Sequence, residues 1–402
     1  MALTPVADAL AAVLDGIEPT AIERVPITAA TGRVLAEDLA ARRTQPPFTA
    51  AAMDGWALRA ADAATPGARL AAIGESAAGR AFSGRVEAGT CVRIFTGAPL
   101  PEGADTVVMQ EHTHRDGDDV VFEEAVKPGR HVRAAGIDFR EGDVGLAAGT
   151  RLDYTNLGLV AAMNHAEVPV RRRPRIAVLA TGDELVPPGT TPGPDQVIAS
   201  NGFAITALIE AAGGEPIDLG IVRDDLGATI AAIGSGFDHG IDALVTIGGA
   251  SVGDHDHVHA ALSANGVDFA FWKLAMRPGK PLMFGRRDAA RVIGLPGNPT
   301  SALVGSLLFL APLVRALAGL RDPAPRIETV VLGGNLAAND VRQDYLRAAL
   351  TVDREGRMTA VPADLQDSSL LGRFARSDGL IVRPPNAPAA RAGELVDFIR
   401  FR

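Results

Sequence analysis

Four short segments concentrate the residue types from which an anion site can be built. They are Thr181-Gly182-Asp183-Glu184-Leu185, Arg223-Asp224-Asp225, the run Gly248-Gly249-Ala250-Ser251-Val252-Gly253-Asp254-His255-Asp256, and Pro296-Gly297-Asn298-Pro299-Thr300. Glycines let backbone N–H groups approach a phosphate or oxyanion with no Cβ in the way. A helix beginning near Thr300 would turn its positive N-terminal end toward the same kind of group. The acids Asp183, Glu184, Asp224, Asp225, Asp254 and Asp256 would repel that anion unless a cation lay between. A hard ion that takes oxygen ligands and phosphate, Mg²⁺, is therefore expected. A fifth segment, Arg277-Pro278-Gly279-Lys280-Pro281, brings positive charge from a rigid turn suited to holding an anion. Alone, each segment reads equally as a turn or a helix cap. Their joint meaning depends on whether the fold puts them side by side.

The surrounding pattern predicts that it does. Ile176–Ala180 is a continuous apolar run of the buried parallel type, and Pro216–Val222, Ala243–Ile247 and Val292–Leu295 are further strands. Helices are expected at Ser200–Ala212, Leu226–Ile233 and Ser301–Ala318. Alternation of this kind predicts a parallel sheet covered on both faces, with ligands bound beyond the carboxyl ends of the strands. Every one of the four segments follows such a strand. The histidine run His255, His257, His259 is read as a capped helix start with exposed rings, since no cysteine or distant histidine motif completes a zinc centre.

Elsewhere the grammar differs. An amphipathic helix carries Val6, Leu10, Val13, Leu14 and Ile17 on one face and ends at Gly16 and Pro19. From Pro46 to Gly149 short strands alternate with turns, among them Val92–Phe95, Thr106–Gln110 and Val120–Glu123. Arg115-Asp116-Gly117-Asp118 is expected to be the hairpin turn joining the last two. A helix is expected at Tyr154–Asn164. After Arg321 the chain returns to strands: Thr329–Leu332, Leu346–Val352, Gly379–Val382 and Glu394–Ile399. The fold class expected is a multidomain α/β protein. Residues 1–45 with 141–170 form a helical and linking N-terminal domain, 46–140 a β-rich inserted domain, 171–320 a three-layer α/β domain, and 321–402 a small β-barrel.

Bulk properties narrow the function classes. A chain of 402 residues with a formal charge of −9 lacks the basic face that nucleic-acid binding needs. The one basic run, Arg171-Arg172-Arg173-Pro174-Arg175, reads as a solvated connection. The single cysteine, Cys91, sits in an apolar run and is expected to be a buried thiol. The most apolar stretch, Pro299 to Leu313, is short and reads as a core helix, so no membrane span is expected. The N-terminus carries Asp8 and Asp15 and lacks the pattern of a signal peptide, so the cytoplasm is the expected compartment.

The five segments together resemble the MoeA family of molybdopterin molybdenumtransferases, related to the E domain of gephyrin. So do Pro46-Pro47-Phe48 with Ala52-Met53-Asp54-Gly55, the run Ile94 to Pro101 with Gly103-Ala104-Asp105, Gly136-Ile137-Asp138-Phe139-Arg140, and Gln366 to Val382. The resemblance implies Mg²⁺-assisted insertion of molybdate into adenylylated molybdopterin with release of AMP. It also implies an elongated homodimer with its site in the dimer cleft, and molybdopterin adenylyltransferase and molybdoenzyme chaperones as partners. By resemblance Glu184, Asp224 and Asp256 would hold Mg²⁺ or orient the pterin, and Gly248, Gly249 and Ser251 would cradle phosphate. Pro296, Asn298 and Pro299 would bind substrate, and Arg277 and Lys280 would hold molybdate or phosphate. Asp54, Thr96 and Asp138 would reach the cleft from the partner subunit, and Arg347 and Ser369 match C-terminal polar positions. Arg277 stands where lysine is commoner, which changes the donor geometry. Asp224 and Asp225 are adjacent, and either could face the site. Two alternatives are a molybdopterin adenylyltransferase, expected of a lone central domain, and a gephyrin-like scaffold, expected to carry further N-terminal domains.

Overall fold

In a computed structural model, residues 3–249 and 257–401 are described. The central sheet has six strands: β1 (Arg175–Thr181), β2 (Glu215–Val222), β3 (Ala243–Ile247), β4 (Asp268–Lys273), β5 (Pro281–Arg287) and β6 (Ala290–Leu295), in the order β2-β1-β3-β6-β5-β4. The first four in that order are parallel, as their apolar runs imply, because burial on both faces selects such sequences. The sheet then continues through β5 and β4, both antiparallel to their neighbours. This extension corrects the all-parallel expectation. Asp268–Lys273 and Pro281–Arg287 flank the cationic turn, and their strand character is masked by it.

Four helices cover the sheet: α1 (Asn201–Ala212), α2 (Leu226–Asp238), α3 (His257–Ala264) and α4 (Pro299–Leu317). Helix α1 stops at Gly213, whose φ of +99° is the left-handed conformation that a C-terminal cap requires. One core, with Val178, Ile205, Val245, Phe309 and Leu313, lies under α1 and α4. The N-terminal helix Val6–Leu14 adds Val6, Ala9 and Val13 to this same core. The opposite face packs Leu179, Leu244, Ile233 and Leu262 under α2 and α3. Three layers result.

Strand Ile22–Pro26 pairs with Glu167–Arg171, and helix Tyr154–Ala162, capped by Asp153 and Asn156, shares their core. These segments lie on either side of the β-rich module in sequence, so that module is an insertion. Its six-stranded sheet includes Gly55–Leu58 between Thr106–Met109 and Thr90–Ile94. The Gly117 turn forms as expected, but its first arm is Thr113–Asp116. Thr106–Met109 sits on the far edge of the sheet, which corrects the predicted hairpin. Cys91 is buried here, and burial pushes its thiol up to about 12. In the C-terminal part, strands Ile327–Leu332, Gln343–Val352, Met358–Pro362, Gly379–Arg383 and Leu395–Arg400 pair in a closed ring, a β-barrel.

Two polar features depart from the sequence reading. The basic run is no free connection: Arg172 donates to both carboxylate oxygens of Asp242, at 3.0 and 2.8 Å, and the Arg175 N–H donates to the same group at 2.7 Å. His259 is half-buried rather than exposed, its ring stacked on Phe269 and Trp272 at centroid distances of 4.4 and 4.2 Å.

Removing the Asp242 carboxylate strands a guanidinium and a strand-end N–H together. Asp242→Ala is expected to lower the unfolding free energy by about 1–3 kcal/mol, read from urea denaturation; an unchanged midpoint would show that the clamp adds no stability. Burial holds the His259 imidazole below its ordinary value of 6.5. The folded state therefore binds this proton less readily than the unfolded chain, and the contribution is present above pH 6.5 and lost as pH falls through the depressed value. His259→Phe should keep the stack and gain in Tm over the natural chain as pH is lowered from about 7.5 to about 5. A Tm difference independent of pH would overturn this.

Candidate functional site

Parallel register sets the level of the site. Thr181 is paired with Val222, Ala180 with Ile247, and Ile247 with Leu295. The chain therefore leaves all four strands within about one residue of a common level, and the four following segments open on one edge. There they line a cleft of about 570 Å³, with Glu184 and Leu185 after β1, Asp224 after β2, Gly248 and Gly249 after β3, and Pro296, Gly297 and Pro299 after β6. Helix α1 contributes Asn201 and Gly202, and the barrel contributes Ser369.

Each wall is held by an identifiable local device. Asp225 accepts from the Ala228 N–H at 2.7 Å and so caps α2, which leaves Asp224 to face the cleft. The Asp224 N–H in turn donates to the Asp183 carboxylate at 3.3 Å. The three acids thus divide into one cap, one brace and one cleft residue. Gly248 has φ +94°, and a Cβ there would lie 2.6 Å from the Thr181 carbonyl oxygen, so no other residue fits without a backbone shift. The Asn201 amide donates to the Gly297 carbonyl at 2.7 Å and joins α1 to the loop before α4. Asn298 takes the position before the first turn of α4, with Pro299 next, where a missing N–H costs nothing.

The cationic positions are distributed differently from the expectation. Arg277 is committed to Asp344 through two parallel hydrogen bonds, Nε to Oδ1 at 2.9 Å and Nη2 to Oδ2 at 2.5 Å. Arg347 is 1% exposed and lines no part of the cleft. Its guanidinium donates to the Gln366 side chain and to the Leu365 and Leu370 carbonyls. Burial lowers its pKa. Arg347 thereby shapes the loop that carries Ser369, whose neighbour Ser368 accepts from the Thr300 N–H at 3.1 Å. Lys280 is exposed next to Pro281, which does line the cleft.

Asp54, Thr96 and Asp138 are not among the residues lining this cleft in their own chain. Asp54 accepts from both the N–H and the hydroxyl of Thr96 at 2.7 Å, and these bonds hold its carboxyl below the usual carboxylate range. Asp138 is exposed. Ser251 and Asp256 lie outside the described residues. Sequence reasoning missed Ser200, Asn201 and the pair Val197 and Ile198, all of which line the cleft, and gave Thr181 no role of its own within the first segment. Thr181 was legible as the last residue of its strand. The others come from the far side of the β1–α1 connection, and no motif marks them.

Among the described residues no three Asp, Glu, His or Cys side chains are grouped to hold a metal. Glu184 and Asp224 supply oxygen ligands only, and Mg²⁺ is commonly held by one or two carboxylates together with substrate phosphates. The donor set therefore fits Mg²⁺ that arrives with a phosphorylated ligand, and does not fit a self-sufficient metal cage.

Family models match nearly the entire chain: the MoeA N-terminal region (domain I and II) over residues 4–164, a probable molybdopterin binding domain over 177–316, and the MoeA C-terminal region (domain IV) over 329–401. A molybdopterin molybdenumtransferase of Haemophilus influenzae is 35% identical over 95% of both chains. One from Nostoc is 38% identical over 84% of this chain and 78% of its own. The crystal structure of a molybdopterin biosynthesis MoeA protein from Pyrococcus superimposes over the full length of both chains with a TM-score of 0.84 at 32% identity. With three family models in order along the chain and the fold matched over its full length, the chain belongs to the MoeA family of molybdopterin molybdenumtransferases.

Proposed function

We propose that this protein inserts molybdenum from molybdate into adenylylated molybdopterin and releases AMP, with Mg²⁺ assistance, as a cytoplasmic homodimer. The observation that carries the reading is the convergence of Glu184, Asp224, Gly248, Gly249 and Pro299 on one cleft in a chain of this family. Backbone N–H groups around Gly248 and Gly249, with the start of α4, suit the phosphate oxygens of a diphosphate. Glu184 and Asp224 would hold Mg²⁺ against it, with Asp256 as a third acid. When bound, the ion supplies charge neutralisation at the diphosphate. Lys280 is the cation we assign to molybdate, since Arg277 is already paired with Asp344. Asp344 is 4% exposed, so its charge is neutralised by that pairing and Arg277 is retained as a structural cation beside the anion site.

Asp54, Thr96 and Asp138, which do not line their own cleft, are assigned to the partner's cleft across a dimer on the family resemblance of the segments that carry them. Ser369 reaches the cleft through a loop that Arg347 fixes, so Arg347 acts as a positioning residue.

The central test is AMP release from preformed adenylyl-molybdopterin, with and without molybdate and Mg²⁺. Release that needs neither addition would overturn the reading. Glu184→Ala should reduce turnover at least about 100-fold with an unchanged melting temperature. Wild-type turnover by that folded variant would remove Glu184 from the site. Lys280→Ala should raise the molybdate concentration needed for half-maximal rate; an unaltered molybdate dependence would exclude Lys280 from the anion site. Glu184→Ala and Asp54→Ala chains, each inactive alone, should recover about a quarter of the activity when exchanged into mixed dimers, because half the dimers are mixed and one of their two clefts is intact. No recovery on mixing would place Asp54 and Glu184 in the same subunit's cleft, or in none.

A further inference from the structure

A second cavity, of about 650 Å³, adjoins the cleft and shares Ala180, Ala199 and Gly202 with it. It lies between α1 and the edge strand β2. Its walls include Val178, Pro187, Pro188, Phe203 and Ile221, with the carboxylates of Glu210 and Asp218 also on its wall. Phe203 is 65% exposed and Ile221 is 39% exposed, so apolar surface stands open to solvent here instead of filling the core. A Cβ placed on Gly202, which lines both cavities, would touch nothing.

The pairing of chambers matches a size problem posed by the proposed substrate, on which this inference rests. Adenylylated molybdopterin carries two fused, nitrogen-rich ring systems, a pyranopterin and an adenine, joined through a diphosphate. A single cavity of a few hundred Å³ suits one drug-sized ligand. The glycine loops and acids of the cleft suit the diphosphate, and one ring system then needs a slot beyond one end of it. We infer that the second cavity is that slot, a subsite for a planar, nitrogen-rich heteroaromatic ring. Phe203 offers a face for stacking. Glu210 has no ion-pair partner among the described residues, so its carboxylate can accept N–H groups from the ring edge. Asp218 is partly engaged already, since it accepts from the Gly220 N–H at 2.8 Å. Adenine and pterin both present this chemistry: a flat π-system, an amino group and ring nitrogens.

Calorimetric titration of the full chain with AMP, and separately with free pterin, tells the two sources apart. Phe203→Ala removes an exposed ring, so folding should be undisturbed. Gly202→Leu, at a helical position with open space around it, blocks the junction. One probe should lose about tenfold in affinity in both variants while the other stays within about twofold; the probe that loses names the occupant. Glu210→Gln should weaken the same probe. Natural-chain affinity for both probes in both variants, or no uptake of either probe by the natural chain, overturns the subsite. A natural chain that passes this test yet releases no AMP with molybdate would overturn the proposed reaction and leave the subsite standing.

Discussion

The cleft depends on register more than on any single side chain. With Ala180 opposite Ile247, and Ile247 opposite Leu295, three adjacent parallel strands end level with one another, and Thr181 opposite Val222 brings in the fourth. A slip of one residue would turn every side chain on the shifted strand to the other face and misfit its volume in both cores. The apolar residues of β1, β3 and β6 fill two separate cores, one on each face, so neither face tolerates that slip. The energy that fixes the site's geometry is therefore spent tens of residues away from its chemistry, in aliphatic packing. Hydrogen bonds at the rim, such as Asn201 to Gly297, refine a geometry that the cores already impose.

Level strand ends create a second constraint, since four loops deliver acids and anion-binding backbone to one small volume. The structure relieves part of the crowding by giving the acids different partners. Asp225 is used up as the cap of α2, and Asp183 accepts the Asp224 N–H. Only Glu184 and Asp224 among the described acids remain on the cleft wall. Among the described residues these two carboxylates do not by themselves make a metal cage.

Much of this was legible in the sequence, and the misses share a cause. Buried parallel strands announce themselves by continuous apolar runs, which is why β3 begins and ends where Ala243–Ile247 predicts. Strands β4 and β5 escaped because their pairing is antiparallel and local, around a turn whose charge drew attention elsewhere. Met358–Pro362 is five residues long and contains Pro362; it pairs across a short turn with Gln343–Val352 and closes the barrel through the distant strand Ile327–Leu332. The Asp224 and Asp225 ambiguity had a local answer, since the second acid stands directly before the first residue of α2, in the capping position. The hairpin error was different in kind. The turn chemistry of Gly117 was right, and a two-residue turn pairs the residues that flank it directly, so Thr113–Asp116 and not the earlier Thr106–Met109 is the partner of Asp119–Phe122.

The cations show the limit of reading residue types most sharply. Arg277 and Arg347 both carry the charge that an oxyanion site wants, yet charge is useful only where donors are unspent. Arg277 gives two N–H groups to Asp344, and Arg347 gives its own to Gln366 and to two carbonyls of the Ser369 loop. In both cases the planar guanidinium does what a lysine ammonium could not, bridging several fixed acceptors at once. A lysine at either position would keep the formal charge and lose the bracket. Exposed Lys280, a flexible point charge beside the cleft wall at Pro281, has the opposite character. The two guanidinium forks are spent on structure while the ammonium stays exposed, so at this sheet edge the division of labour follows the physical difference between two kinds of cation.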